Sequence, residues 1–460
     1  MKKIILLLAN VCLLTLFSTL AGCSTDENNT LSSYDAGKMA SSPLRVLFDV
    51  EFGSNLYLKL EDELATYKVE SVEGVKKRLS FQAMVKEMGG PSSIKIEIPP
   101  VQGNEREMYL TNLRTEIMAG GGPDVFVCGS GIGYHMDEKT GEYIKSEPLL
   151  RYPQQAMKRN MFLALDEYIG GAKFMEWQKL TPVIMDAGKT EKGQFLLPMT
   201  YTVPTTAFRK EDVNHTPSKD MTWEDMLSQG PHIQLAAIQE RAYPGNGLAP
   251  LADYQHDKLA ISEEEMIQYF SEKLDNLERC KEESGVPYTR FDLKVRSSYD
   301  LSFYDDRFRE EDPIVLVPLY SRSGGCTATV KSFVGINVNT KHPDDAFFVV
   351  DYLLGEECQR SKIYAFMTIN QAVPTLEGLM THGTSVSDAV KTTVMPDDLY
   401  KQFCLVRDSI SFADFATPLD HELQRLYIDE FLEPSKESAK SRESIIHDAY
   451  MRMSMDLAES

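Results

Sequence analysis

The chain has 460 residues, with 48 Lys and Arg against 69 Asp and Glu, a formal net charge of −21. That excess of acid repels phosphate backbones and anionic lipid, which argues against nucleic acid and against a polybasic membrane contact. The length allows two sizeable hydrophobic cores.

Lys2 and Lys3 precede an apolar run from Ile4 to Leu20, the pattern of an export signal. A membrane span needs about 20 apolar residues with stop-transfer flanks, so residues 1–22 read as a signal peptide. The polar, Ser-, Asn- and Asp-rich stretch after them makes 23–42 a flexible tether. Leu44 to Val50 is the first strand by its apolar and β-branched content. Leu60 to Met88 reads as a charged helix closed by Gly89-Gly90-Pro91, and Ile94 to Ile98 as a second strand. Asn104 with Glu107 forms a capping-box pattern, and Leu110, Leu113 and Ile117 recur at helical spacing. Gly120 to Gly122 end that helix and Pro123 prevents its restart. Val125-Phe126-Val127 has the length and branching of a buried parallel strand. Gly129-Ser130-Gly131-Ile132-Gly133 follows at its carboxyl end, where open α/β sheets bind ligands. The order βαβαβ opens a doubly wound sheet. No repeat of solenoid length is present.

Catalytic signatures are missing from the sequence: there is no H-E-x-x-H, no G-x-S-x-G and no Walker or Rossmann glycine pattern. The eight histidines have no metal-ligand spacing. Beyond Cys23, the odd set Cys128, Cys280, Cys326, Cys358 and Cys404 contains no C-x-x-C pair and reads as buried thiols, with one bridge left open.

The helix running into Ala119-Gly120-Gly121-Gly122-Pro123-Asp124 and an apolar strand resembles the extracellular solute-binding proteins of family 1, the capture subunits of ABC importers for sugars and oligosaccharides. Further motifs agree in the same order: Phe162 to Tyr168, Gly193 to Pro198, and Tyr201 to Phe208 as the first crossing between lobes. Met221 to Leu227 is similar to a helix start in the second lobe, with Thr222 as cap and Glu224 and Asp225 in the first turn. Cys326 to Val338 resembles the return crossing, followed by Lys341 to Ala346, Glu356 to Gln359 and Ala372 to Thr375. The likeness spans roughly residues 44–460. One departure is the region 290–325, where Ser302 to Asp306 and Pro313 to Leu316 stand in place of the family's G-x-A-M strand. Leu20-Ala21-Gly22-Cys23 resembles a bacterial lipoprotein box, which makes Cys23 the lipidated first residue.

The resemblance implies an α/β, two-lobe periplasmic-binding-protein-like type II fold, each lobe a mixed, mostly parallel sheet flanked by helices, with the ligand cleft between them. Lobe 1 is expected over 43–200, with about 290–330 returning to it, and lobe 2 over 201–289 and 331–460. It implies a monomeric, lipid-anchored extracytoplasmic protein without a cofactor or catalysis. Such a protein closes on a carbohydrate and hands it to the permease subunits of an ABC importer. An extracytoplasmic sensor for a receptor kinase, or a secreted hydrolase with a carboxylate pair in its cleft, are the alternatives.

Sugar faces need aromatic platforms, and sugar hydroxyls need fixed donors and acceptors. Tyr134 and Tyr201, at a strand-end loop and a crossing, read as platforms or as packing aromatics. Asp49 and Glu51 end the first strand as ligand contacts or solvated charges. Asp124 reads as a holder of its turn first and a ligand contact second. Ser130 and its neighbouring amides can take a hydroxyl or carboxylate. Trp177 is a stacking residue or a packing one, Trp223 is structural, and Tyr320 and Arg322 are cleft residues by their place before the return crossing.

Overall fold

Leu44–Asp49 (β1) is buried along its length except at Arg45. It pairs in parallel with Ile94–Glu97 (β2) on one side and Val125–Gly129 (β3) on the other. Between these two runs Gly103–Met118 (α1), which buries Arg106, Leu110 and Leu113. Later elements are Pro153–Lys158 (α2), Leu196–Thr202 (β4), Thr205–Arg209 (β5), Trp223–Ser228 (α3), Glu263–Ser284 (α4), Ile314–Pro318 (β6) and Cys326–Ile336 (β7). They are followed by Pro343–Leu354 (α5), Met367–Thr368 (β8), Ile410–Phe415 (β9), Pro418–Arg425 (α6) and Arg442–Glu459 (α7). The computed structural model describes residues 42–49, 68–72, 75–79, 81–100, 103–136, 143–210, 213–230, 233–234, 238, 243–284, 296–298, 314–359, 367–368, 397–434 and 440–460.

Seven strands form the large sheet in the order β8-β4-β7-β3-β1-β2, with β9 paired to β7. Strands β1 to β4 run the same way and β7 runs against β3 and β4. β7 is buried along nearly its whole length, as a strand covered on both faces must be. Its second half pairs with β3 and its first half with β9. The small sheet joins Arg296–Ser298, β5 and β6 in antiparallel pairs, where a mostly parallel sheet was expected.

Pro43–Ser460 form one unit holding two main hydrophobic cores. The first takes in β1, β3, β4, β7, α5 and β9, through Val46, Phe126, Leu197, Val334, Val350 and Phe415. The second takes in Phe208, Trp223, Tyr269, Phe270, Val317, Leu423, Tyr427, Ile446 and Met453. The backbone passes between them at Val203-Pro204, at Leu319 to Gly325 and at Ala416-Thr417, flanked by the strands and helices already named.

This partition corrects the expected boundaries after residue 290. β6 puts Val315 and Val317 into the second core and Leu316 into the first, while β7, α5 and β9 belong to the first. The return crossing is Leu319 to Gly325, and Cys326 to Ile336 is a strand of the large sheet. The physical reason is that the second half of this strand, Phe333 to Ile336, is buried on both faces beside β3, with β4 on its other edge. The helix expected over Leu60 to Met88 is also revised. Lys68–Val72 and Val75–Leu79 form an antiparallel hairpin, and among the described residues of this range only Phe81–Glu87 is helical. Valines on both sides of Gly74 are the hairpin signal that a count of charges hides.

The expected start of α3 is present. Thr222 Oγ1 accepts from the Asp225 amide at 3.1 Å, and the Asp225 carboxylate accepts from the Thr222 amide at 3.0 Å. Trp223 is fully buried and its indole donates to Glu272 at 3.0 Å, a structural anchor.

Candidate ligand cleft

Most of the residues singled out in the sequence are held by other parts of the protein. Asp49 accepts both guanidinium nitrogens of Arg106, at 2.9 and 3.1 Å, and the Leu149 amide at 3.1 Å. It is a buried tie between β1, α1 and the segment after residue 147, rather than a ligand contact. Asp124 accepts from the Arg45 amide at 2.9 Å and from Thr340 Oγ1 at 2.6 Å, so it ties its turn to β1 and to the segment after β7. Ser130 is buried and donates its hydroxyl to the Val330 carbonyl. Tyr201 is fully buried in the first core, where burial raises its hydroxyl well above the usual tyrosine range. Tyr320 is fully buried in the second core, hydrogen-bonded to His215 Nε2 at 2.8 Å. Burial lowers the His215 imidazole to about 4, so this ring is neutral at pH 7. Trp177 packs half-buried against the first core. Arg322 ion-pairs with Glu272 at 3.1 Å and lies over the Tyr269 ring at 5.7 Å. Tyr134 stands opposite Lys145 in a two-stranded ladder, and its side chain lies outside the described residues, as do Glu51 and Cys23. The cleft roles expected of Asp49, Ser130, Tyr201 and Tyr320 give way to packing, because each finds its partners inside the protein.

The carboxyl end of β3 does reach the junction of the cores. Gly131 has φ +83°, and a Cβ there would stand 2.8 Å from the Cβ of Ala416. The loop after β3 therefore lies against the third crossing. Beside it is a cavity of about 10 Å³, lined by Asn246, Ala249, Leu251, Tyr254, Thr327, Ala328, Thr329, Asp414, Phe415, Thr417 and Asp420. That is room for about one water. Thr327 and Thr329 come from β7 of the first sheet, and Asn246 to Tyr254 come from a loop packed on the second core. The walls thus belong to both lobes.

Two carboxylates dominate its electrostatics. Asp414 is pushed up to about 8, by burial first and by the Asp420 charge second. Asp420 is pushed up to about 6 by burial, against the Thr417 amide and hydroxyl and the Lys331 ammonium, which favour its charge. Each keeps a small exposed surface, yet protein encircles both, which is why burial leads. Asp420 also completes a capping box: it accepts the Thr417 amide at 2.8 Å and the Thr417 hydroxyl at 3.1 Å. Asp414 accepts from the Gln154 amide side chain and from the Phe415 amide at 2.8 Å. Asn246 Nδ2 donates to the Thr327 carbonyl at 3.3 Å and to Thr329 Oγ1 at 3.2 Å. Lys331 Nζ donates to the Tyr243 hydroxyl at 2.7 Å. Burial, with the Asp414 and Asp420 charges behind it, raises the Tyr254 hydroxyl.

Amides, hydroxyls, carboxylates and the rings of Tyr254 and Phe415 thus meet at one junction. Such a set can bind a polar solute with apolar faces. Among the described residues no group of three or more His, Cys, Asp or Glu could hold a metal ion. None of the described helices is long and apolar enough to cross a membrane. Sequence reasoning passed over this set, although signals were present. Asp414 interrupts an apolar strand, Ser411-Phe412-Ala413-Asp414-Phe415, and Thr417-Pro418-Leu419-Asp420 is a helix start with a carboxylate at its third position.

The chain has the two-lobed α/β fold of extracellular solute-binding proteins. It is similar to an extracellular solute-binding protein family 1 structure from Alicyclobacillus acidocaldarius, at 15% identity over 91% of this chain and 100% of that one, TM-score 0.52. It is similar to a periplasmic oligogalacturonide binding protein from Yersinia enterocolitica, at 14% identity over 91% and 99%, TM-score 0.52. A third is the sugar-binding protein MalE from Xanthomonas citri, at 12% identity over 91% and 98%, TM-score 0.52. No protein-family model and no curated relative matches the chain by sequence.

Proposed function

We propose that the protein captures a carbohydrate between its two lobes and delivers it to the permease of an ABC importer. The reading includes a monomer anchored outside the cytoplasm through lipid on Cys23. It is a binder without turnover. The observation that carries it is a polar and aromatic cavity whose walls come from both cores. A solute seated there touches both lobes and so favours the closed form by its added contacts. Tyr254 and Phe415 suit sugar faces, and Asp414, Asn246 and Thr329 suit hydroxyls. The shared fold supports the same reading.

A thermal-shift panel of mono- and oligosaccharides, amino sugars and peptides tests it. A cognate sugar at a hundred times its dissociation constant adds about 2.7 kcal/mol to stability. Tyr254→Ala should weaken that sugar by at least about tenfold, in the range of a lost stacking contact and its neighbours. A panel in which only peptides shift the melting temperature would overturn the carbohydrate reading.

The hydrolase alternative has one foothold, the acidic pair in the cavity. Asp420, however, is engaged twice by its own helix cap, which leaves Asp414 without a second free carboxylate there. Release of product from a bound glycoside, abolished by Asp414→Asn, would favour hydrolysis over capture.

A further inference from the structure

The segment from Leu149 to Phe162 is fastened to the first core at both ends. At one end the Leu149 amide donates to Asp49 at 3.1 Å. At the other, Leu163 donates to the Ile336 carbonyl at 2.8 Å and Val338 to the Met161 carbonyl at 3.1 Å. Between these anchors the segment reaches the second lobe. Tyr152 packs its ring in the second core and donates its hydroxyl to Asp456 of α7. Arg151 pairs with the same carboxylate at 2.7 Å. Gln155 donates to the Leu457 carbonyl at 3.2 Å, and Lys158 reaches Asp257 at 2.8 Å. Met157, on α2 with them, is buried in the first core.

The same segment touches the cavity. Gln154 donates to Asp414, and the Tyr152 and Tyr254 rings lie 6.3 Å apart. Two residues in left-handed backbone help aim the contacts: Asn160, φ 54°, just past α2, and Asp257, φ 50°, in the hairpin turn that receives Lys158. Asn and Asp tolerate that conformation better than other side chains.

We propose that residues 149–162 are a strap that holds the lobes together across their junction. The closed form is then populated before any solute arrives, and a solute enters only when the strap lets go. With room for about one water in the cavity, a sugar needs that release. The exposed Arg151–Asp456 pair contributes little, as partly solvated ion pairs do. The buried Tyr152 hydroxyl on a carboxylate is the main tie, since hydrogen bonds to charged groups are the strong ones. Apparent affinity falls by the fraction of molecules that are open and competent.

Small-angle scattering of the full chain without ligand tests this, so its outcome does not depend on which solute is bound. The wild type should match the dimensions of the structure. Tyr152→Phe, which keeps the ring, and Asp456→Asn should each shift the open-to-closed ratio about tenfold, the equivalent of one such hydrogen bond. Both should show a larger radius of gyration with unchanged circular dichroism. Arg442→Ala is the control on the same helix, because its partners Asp275 and Glu278 lie in the same lobe. It should leave the dimensions unchanged. A wild type already expanded, strap variants as compact as the wild type, or equal expansion in Arg442→Ala would each overturn the strap.

Discussion

Asp49 and Arg106 are 57 residues apart, and both are more than nine-tenths buried. Removing one partner of such a pair strands the other's charge without water, which costs about 3–5 kcal/mol. Asp49→Ala should therefore lower the denaturation midpoint steeply, while the fraction that remains folded keeps its solute affinity. Parallel urea titration and calorimetric binding would separate a structural carboxylate from a ligand-binding one. In the sequence Asp49 is simply a carboxylate ending a strand, a fair place to expect a ligand. What hides its role is Arg106, on a helix whose apolar stripe was legible but whose buried arginine was not. Asp124 is a similar case: its side-chain partners, the Arg45 amide and Thr340 Oγ1, lie 79 and 216 residues away, so no pattern around Pro123 and the glycines encodes them.

At the scale of elements, the loop after β3 is where sequence and structure agree most. A glycine run at the carboxyl end of a buried strand needs an unusual backbone or a close neighbour, and Gly131 has both. Gly131→Ala adds left-handed strain and a contact with Ala416. It should destabilise the chain on the order of 1–3 kcal/mol. Because Ala416 is a crossing residue, the same change should weaken solute binding; a destabilised variant with wild-type affinity would detach this loop from the cleft. β7 explains what could not be read. Its apolar run is visible, but the neighbours it chooses, β3, β4 and β9, come from residues 84 to 211 positions away, and no local pattern encodes that choice. The start of α3 was legible for the converse reason, since a capping box is complete within four residues.

For the whole molecule, the junction of the lobes is also where protons are taken up. Asp414 has an ordinary value of 3.8 and stands at about 8 at this junction. Below about pH 4 it is protonated folded or unfolded, and its contribution to the stability of the folded chain is fully present. As pH rises from about 4 to 8, the hydrated carboxylate of an unfolded chain ionises while the folded one keeps its proton. The folded chain then loses this contribution, completely above pH 8. Asp420, at about 6, acts in the same direction, and the two titrate as a coupled pair. Denaturation midpoints measured from pH 5 to 8.5 should fall with pH in this part of the molecule, and Asp414→Asn should flatten the slope. A wild-type slope unchanged in that variant would remove Asp414 from the account.

The passages of backbone between the cores carry a consequence for assembly. The first core lacks its middle strand until Cys326 to Ile336 has been made, and the second lacks a wall until Leu419 to Leu457 follows. A nascent chain halted halfway has two unfinished interiors rather than one finished domain. Order must then arrive late and in both halves together.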